Sequence, residues 1–153
     1  MALSRNSGRE KGLPQWRCSA KLDQRACLNP SKGMNLKIGD IYWVNLEPTL
    51  GDEIRNKCPV IILNAGHVKH LRLAIVVPVT GWKAKWEEHP FFVSLDPTPF
   101  SGLDKKSVVD CFQVRAVSHE RFLEKAGSVS GVELSQIKRA IALILDIDPE
   151  QCQ

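Results

Sequence analysis

The run from Gly39 to Asn64, GDIYWVNLEPTLGDEIRNKCPVIILN, constrains this chain more than any other stretch, because it reads as strand, polar loop, strand. Asp40 to Leu46 is rich in aromatic and β-branched residues, which suit a pleated, half-buried surface. Pro48 has no amide to give to a ladder and Gly51 accepts a positive φ, so Glu47 to Gly51 ends the strand. Val60 to Leu63 is a short, wholly apolar run, the pattern of a strand buried on both faces. Asp52, Glu53, Arg55, Asn56, Lys57 and Cys58 stand between the two, a dense polar set held at both ends by regular structure.

Further strands are expected at Leu73–Val79, Phe91–Leu95 and Ser107–Val117, with one helical turn at Ser118–Phe122. Ala65–His70, Thr80–Pro90 and Asp96–Lys106 read as loops, the last punctuated by Pro97, Pro99 and Gly102. The end of the chain carries the clearest helix. Ser130 and Glu133 form a capping box, and Leu134, Ile137, Ile141, Ile144 and Leu145 recur on one face before Pro149.

Gly39-Asp40-Ile41, Pro48-Thr49-Leu50-Gly51-Asp52-Glu53 and Pro59-Val60-Ile61-Ile62 stand at the spacing of the MazF/PemK (Kid) family of toxin endoribonucleases, which the chain resembles from about Leu36 to Asp146. Two later segments extend the resemblance. Thr80, after Pro78, matches the family's active-site threonine, and Gln113-Val114-Arg115 matches its Gln-Val/Ile-Arg/Lys strand. One position departs: where the family has the arginine of Arg-Pro, this chain has Cys58. Phe112 also stands where many members carry an acid, although Asp110 lies two residues away on the same face of a strand.

The resemblance implies a mainly β (α+β) protein, a small SH3-like barrel of about five to seven strands (CcdB/MazF-like) with a packed C-terminal helix. It implies the toxin of a type II toxin–antitoxin pair: a homodimeric, metal-independent, sequence-selective endoribonuclease cutting single-stranded RNA, including mRNA. A cognate antitoxin would neutralise it through a tail that folds on binding. Operator DNA would be met only as the toxin–antitoxin complex, and no cofactor or membrane is implied. Two other classes stay open: a regulatory member that binds RNA or antitoxin without cutting, and a gyrase-directed toxin, because CcdB shares the fold. Glu53, Thr80, Gln113 and Arg115 favour the ribonuclease.

Cleavage of RNA without a metal needs a base for the ribose 2′-hydroxyl, a cation for the charged phosphorane and an acid for the departing oxygen. Glu53 is the base that the loop offers, and Arg55 and Lys57 are its nearby cations. On composition alone, these charges also fit a solvated surface loop. Cys58 cannot replace the family's arginine, because a thiol has no fixed positive charge and is a weak donor; the resemblance therefore implies impaired cleavage. The catalytic set expected is Glu53, Arg55, Lys57, Cys58 and Thr80.

Trp82, Lys83, Lys85, Gln113 and Arg115 form the expected RNA-binding set. Trp82 and Trp86, interleaved with Lys83 and Lys85, suit base stacking and phosphate contacts, or alternatively a cover over the barrel mouth. His67, His70, His89 and His119 are scattered in loops, and no metal-ligand spacing appears.

Composition adds limits. With 153 residues the chain supports one domain. Its net charge of +4 comes from residues 1–33, where seven Lys/Arg face two Asp/Glu; the remainder holds fourteen against fifteen. Overall charge is thus no argument for nucleic acid; only local clusters could be. Five cysteines without a C-x-x-C fit a reducing cytoplasm better than a disulfide framework. No apolar run approaches the ~18 residues of a membrane span. The domains expected are a disordered basic extension at 1–33, the toxin-like domain at 34–148 and a tail at 149–153. The extension is read as an upstream start or cloning remnant, since Met34 stands where the family begins, ahead of an RNA-touching arm or a transit peptide.

Overall fold

The computed structural model describes residues 35–64 and 71–148. The expectations for residues 1–33, Met34, Ala65–His70 (with His67 and His70) and 149–153 lie outside the described residues. Seven strands follow one another: β1 (Asp40–Asn45), β2 (Lys57–Ile62), β3 (Leu73–Gly81), β4 (Phe92–Leu95), β5 (Ser107–Asp110), β6 (Arg115–Ser118) and β7 (Phe122–Ser128), before helix α1 (Gly131–Ile144). Every pairing is antiparallel, in the order β4-β5-β3-β2-β1-β7 with β6 also on β3. The mainly β class with a packed C-terminal helix is as expected, while the ladder is open, with β4 and β7 at its two ends.

Two prolines decide where the sheet divides. β2 and β3 pair at Val60↔Pro78, Ile61↔Val77 and Ile62↔Val76, and the ladder stops there. The next residue of β2 is Pro59, which has no amide to offer, so nothing holds the strands together further on. β3 then turns to β5 through Val79↔Val109, Thr80↔Val108 and Gly81↔Ser107. Its first half carries β6 at Ala74↔Val117 and Val76↔Arg115. One long strand therefore joins two parts of the sheet, with a fork at Pro59 and Pro78.

Alternation along β1 to β3 fills two cores. Tyr42, Val44, Cys58, Val60, Ile62, Val76 and Phe122 pack on one side. Ile41, Ile61, Val77, Val79, Leu95 and Val109 pack on the other, against Ile137 and Ala140 of α1. β2 is thus buried on both faces, as its apolar run indicates. The capping box of α1 is complete: Glu133 N–H donates to Ser130 Oγ (3.3 Å), and Ser130 N–H donates to Glu133 Oε2 (2.7 Å).

Four details differ from the sequence reading, the first being that β3 runs on through Thr80 and Gly81, expected in a loop, because both pair with β5. The stretch Ser107–Val117 is not one strand, because the Asp110 carboxylate accepts the Phe112 N–H at 3.2 Å and turns Cys111–Gln113 into a 3₁₀ turn. β7 was not foreseen: its pairing with β1 has two register shifts, and such irregularities break the period-two signal. Leu145 does not join the buried helix face; it is the C-cap and 54% exposed. The helical turn expected at Ser118–Phe122 is present as His119–Arg121, with Ser118 Oγ accepting the Glu120 N–H.

The loop between β4 and β5 crosses β7 closely. A Cβ on Gly102 would run into the Ala126 carbonyl oxygen, and one on Gly127 into that of Phe100. Ser128 N–H donates to the Phe100 carbonyl at 2.9 Å, so this loop is fastened along the free side of β7.

Candidate functional site

The polar loop between β1 and β2 is braced by its own side chains. Asn56, with φ 65°, gives its N–H to Glu47 Oε1 (3.0 Å), and Leu46 N–H donates to the Asn56 carbonyl (3.1 Å). Gly51 has φ 57°, the freedom anticipated for it. The Arg55 guanidinium donates to the Gly51 carbonyl at 2.8 Å. Arg121, far along the chain, donates to the carbonyls of Asn45 and Glu47 and holds the loop's first arm.

A second clamp comes from the β5–β6 turn. Gln113 Oε1 accepts the Ile54 N–H at 2.8 Å, while its Nε2 donates to Asp110 Oδ2 (3.0 Å) and to the Asp52 carbonyl (3.3 Å). Asp110 is buried, and burial raises its carboxyl above the ordinary value despite hydrogen bonds from Phe112 and Gln113 that pull it down. Gln113, expected on RNA, thus spends its amide on fixing the loop that carries Glu53. Ile54 adds an apolar anchor against the first core.

Glu53 stands at the head of this loop, half exposed, with Oε2 3.5 Å from Arg115 Nη1. Arg115 Nη2 also lies 3.5 Å from the Ile54 carbonyl. Cys58 is buried beside them. Burial pushes its thiol up to about 11, with the Arg115 charge pulling the other way, so the sulfur is a protonated, neutral group near pH 7. Arg115, two residues before Val117, takes the Cys58 face, whereas Thr80 borders a cavity at the fork with Trp43, Lys57 and Pro59.

The other expected residues are placed elsewhere. Lys57 leaves β2 on the side opposite Cys58. Near the fork it borders, with Trp43, Pro59, Thr80 and Lys105, a cavity of about 210 Å³. Lys83 and Lys85 are exposed, with Lys85 Nζ 4.4 Å from the Trp86 ring centre. Trp86 packs on Phe92 at 4.2 Å, and Trp82 lies under Lys106 Nζ at 4.6 Å. Both indoles are part-buried, with lysines against them. Phe112 projects from the turn, 66% exposed, 5.7 Å from Phe91. Sequence reasoning missed Arg121 and the clamp by Gln113, since both act across more than fifty positions and leave no local pattern.

Chemically, the arrangement offers a solvent-reachable carboxylate next to a guanidinium and a neutral thiol behind them, while the Thr80 hydroxyl belongs to the cavity at the fork. No group of three or more His, Cys, Asp or Glu among the described residues could hold a metal ion.

Comparison with known proteins gives the family and the fold. Residues 37–145 match the family model described as PemK-like, MazF-like toxin of type II toxin-antitoxin system. Over 118 residues the chain is 36% identical to Endoribonuclease MazF9 of Mycobacterium tuberculosis, covering 73% of this chain and 98% of that protein. It is 30% identical over 115 residues to Endoribonuclease MazF of Staphylococcus saprophyticus, covering 73% and 92%. In fold it is similar to the crystal structure of MazF from Deinococcus radiodurans, with TM-score 0.64, 22% identity and coverage of 74% and 99%. It is also similar to a mycobacterial endoribonuclease in complex with its cognate antitoxin, with TM-score 0.57, 18% identity and coverage of 72% and 95%.

Proposed function

Because this chain belongs to the PemK-like, MazF-like family of toxins of type II toxin–antitoxin systems, we propose that it is an endoribonuclease that cuts single-stranded RNA, mRNA included, at short preferred sequences. The observation that carries the reading is Glu53, on a loop that Gln113 and Arg121 hold in place, 3.5 Å from Arg115 of β6. Glu53 takes the proton of a ribose 2′-hydroxyl, and the 2′-oxygen attacks the adjacent phosphorus. The bond from phosphorus to the 5′-oxygen breaks, leaving a 2′,3′-cyclic phosphate and a 5′-hydroxyl. Water protonates the departing oxygen, and Glu53 returns its proton to solvent. Side chains supply base and charge, so the reaction proceeds in EDTA. Lys83 and Lys85, both exposed, hold the RNA strand, and Thr80 borders the cavity at the fork together with Lys57.

In this reading the protein is a cytoplasmic homodimer, silenced by a cognate antitoxin and brought to operator DNA only within that complex. No helix among the described residues is long and apolar enough to cross a membrane. The test is a long unstructured RNA incubated with the protein in EDTA, with the ends of the fragments mapped. Cuts at a recurring short sequence, lost in Glu53→Ala, are expected. Binding of that RNA without any cut would replace this reading by a non-cleaving binder.

A further inference from the structure

Four cations accompany the Glu53 loop in sequence or space: Arg55, Lys57, Arg115 and Arg121, the last of which is spent on the Asn45 and Glu47 carbonyls. The fold treats them unequally. Arg55 is committed to its own loop through a short bond, 2.8 Å, to the Gly51 carbonyl. Lys57 leaves β2 on the face away from Cys58, toward the cavity at the fork. Arg115 stays with the carboxylate. Its two contacts, to Glu53 Oε2 and to the Ile54 carbonyl, are both 3.5 Å, at the outer limit of a hydrogen bond. Turning the fork of N–H groups from these toward an incoming phosphate therefore gives up little, whereas Arg55 would have to break a well-formed bond.

We propose that Arg115 is the catalytic cation of this chain, holding the scissile phosphate and stabilising the charge that builds on it while Glu53 removes the 2′-hydroxyl proton. This rests on the endoribonuclease reading above and assigns the group that Cys58 does not supply. Arg115 is well suited to the role. It begins β6 and is paired with Val76 in the long strand, so its backbone is fixed by the sheet rather than by a loop. Its side chain is 26% exposed against 51% for Glu53, so a phosphate can reach it while part of the surrounding water is already excluded. Cys58 is small and neutral beside it, which leaves the guanidinium without a like charge at its back.

The experiment measures cleavage rates on a long single-stranded RNA for the wild type, Arg115→Ala, Arg115→Lys, Lys57→Ala and the double variant Cys58→Arg/Arg115→Ala, with melting curves for each. Arg115→Ala is expected to lose about 10²–10³ in kcat with a smaller change in KM. Arg115→Lys keeps the charge but not the fork and should fall between the two. Lys57→Ala should lose less than Arg115→Ala. Guanidinium added to the Arg115→Ala protein, or the Cys58→Arg change in that background, should recover at least about tenfold. Arg115→Ala within threefold of wild type would overturn the proposal. So would a folded Arg115→Ala protein that neither form of rescue improves. If the wild type itself makes no cut, the endoribonuclease reading fails, and the assignment of Arg115 falls with it.

Discussion

Glu53 and Arg115 face each other at 3.5 Å although 62 positions separate them in the chain. An exposed ion pair of this length adds little to stability, about 0–1 kcal/mol. Its significance is positional. A carboxylate on a loop fixed from two other elements meets a guanidinium carried by β6.

The first of these elements can be removed. Gln113→Ala deletes three contacts, to Ile54, Asp52 and Asp110, and leaves the Ile54 amide and the Asp110 carboxylate without this partner. The expected cost is about 1–3 kcal/mol in a urea titration, with RNA cleavage falling further than RNA binding. Unchanged cleavage in a folded Gln113→Ala protein would show that the loop keeps its shape without the clamp.

Alkaline stability should depend on Cys58. Its thiol rises from 9.0 to about 11 in the fold, chiefly through burial. A raised value means that the unfolded chain loses this proton first. The contribution of Cys58 is therefore complete below pH 9.0 and disappears as pH climbs through about 11. The loss should approach 2–3 kcal/mol in order of magnitude. Cys58→Val has no proton to lose, so its stability should fall less steeply over that range, as read by urea unfolding at successive pH values. Parallel curves for the two proteins would contradict the burial argument.

For the helix, Ile137 is fully buried and Ile141 only partly so. Ile137→Ala should cost about 2–5 kcal/mol and Ile141→Ala less. Removing the cap with Ser130→Ala should cost about 1 kcal/mol. Thermal melts of the three variants check this order, and an Ile141→Ala loss larger than that of Ile137→Ala would reverse it.

Gly127→Ala places a methyl group against the Phe100 carbonyl, where backbone meets backbone. A destabilisation of about 1–3 kcal/mol is expected, because neither segment can yield by a side-chain rotation. Gly131→Ala, where an added Cβ meets nothing within 4 Å, is the control and should be close to neutral in the same melt.

Lys83→Ala and Lys85→Ala should each weaken RNA binding and flatten its dependence on salt, since each phosphate contact releases counterions. Titrations at several salt concentrations give the slope directly. Equal slopes for both variants and the wild type would place RNA on another surface.

The parts of the fold legible in sequence were those set by neighbouring residues. The capping box at Ser130 and Glu133 and the two-faced burial of β2 follow from patterns of a few positions. β7 was not legible, because its register with β1 shifts twice and FLEKAGS has no clean alternation. At the site, Glu53 was legible from its loop, and the opposite orientation of Lys57 and Cys58 from strand parity. The separation of Arg55 from the carboxylate depends on a turn back to Gly51, and the pairing with Arg115 depends on where β6 docks. The first is a local bond within the loop that no residue pattern signals, and the second is decided by tertiary geometry alone.

The clamp also orders events in time. Glu53 belongs to the first half of the chain, whereas Gln113, Arg115 and Arg121, which fix and complete its site, come much later. A ribosome therefore finishes Glu53 long before Arg115, and β6 must dock on β3 before the two meet. On the proposed role of Arg115, a nascent chain would cut no RNA until β6 has docked. Chains stalled before Arg115 should leave RNA uncut under conditions in which the released protein cleaves it.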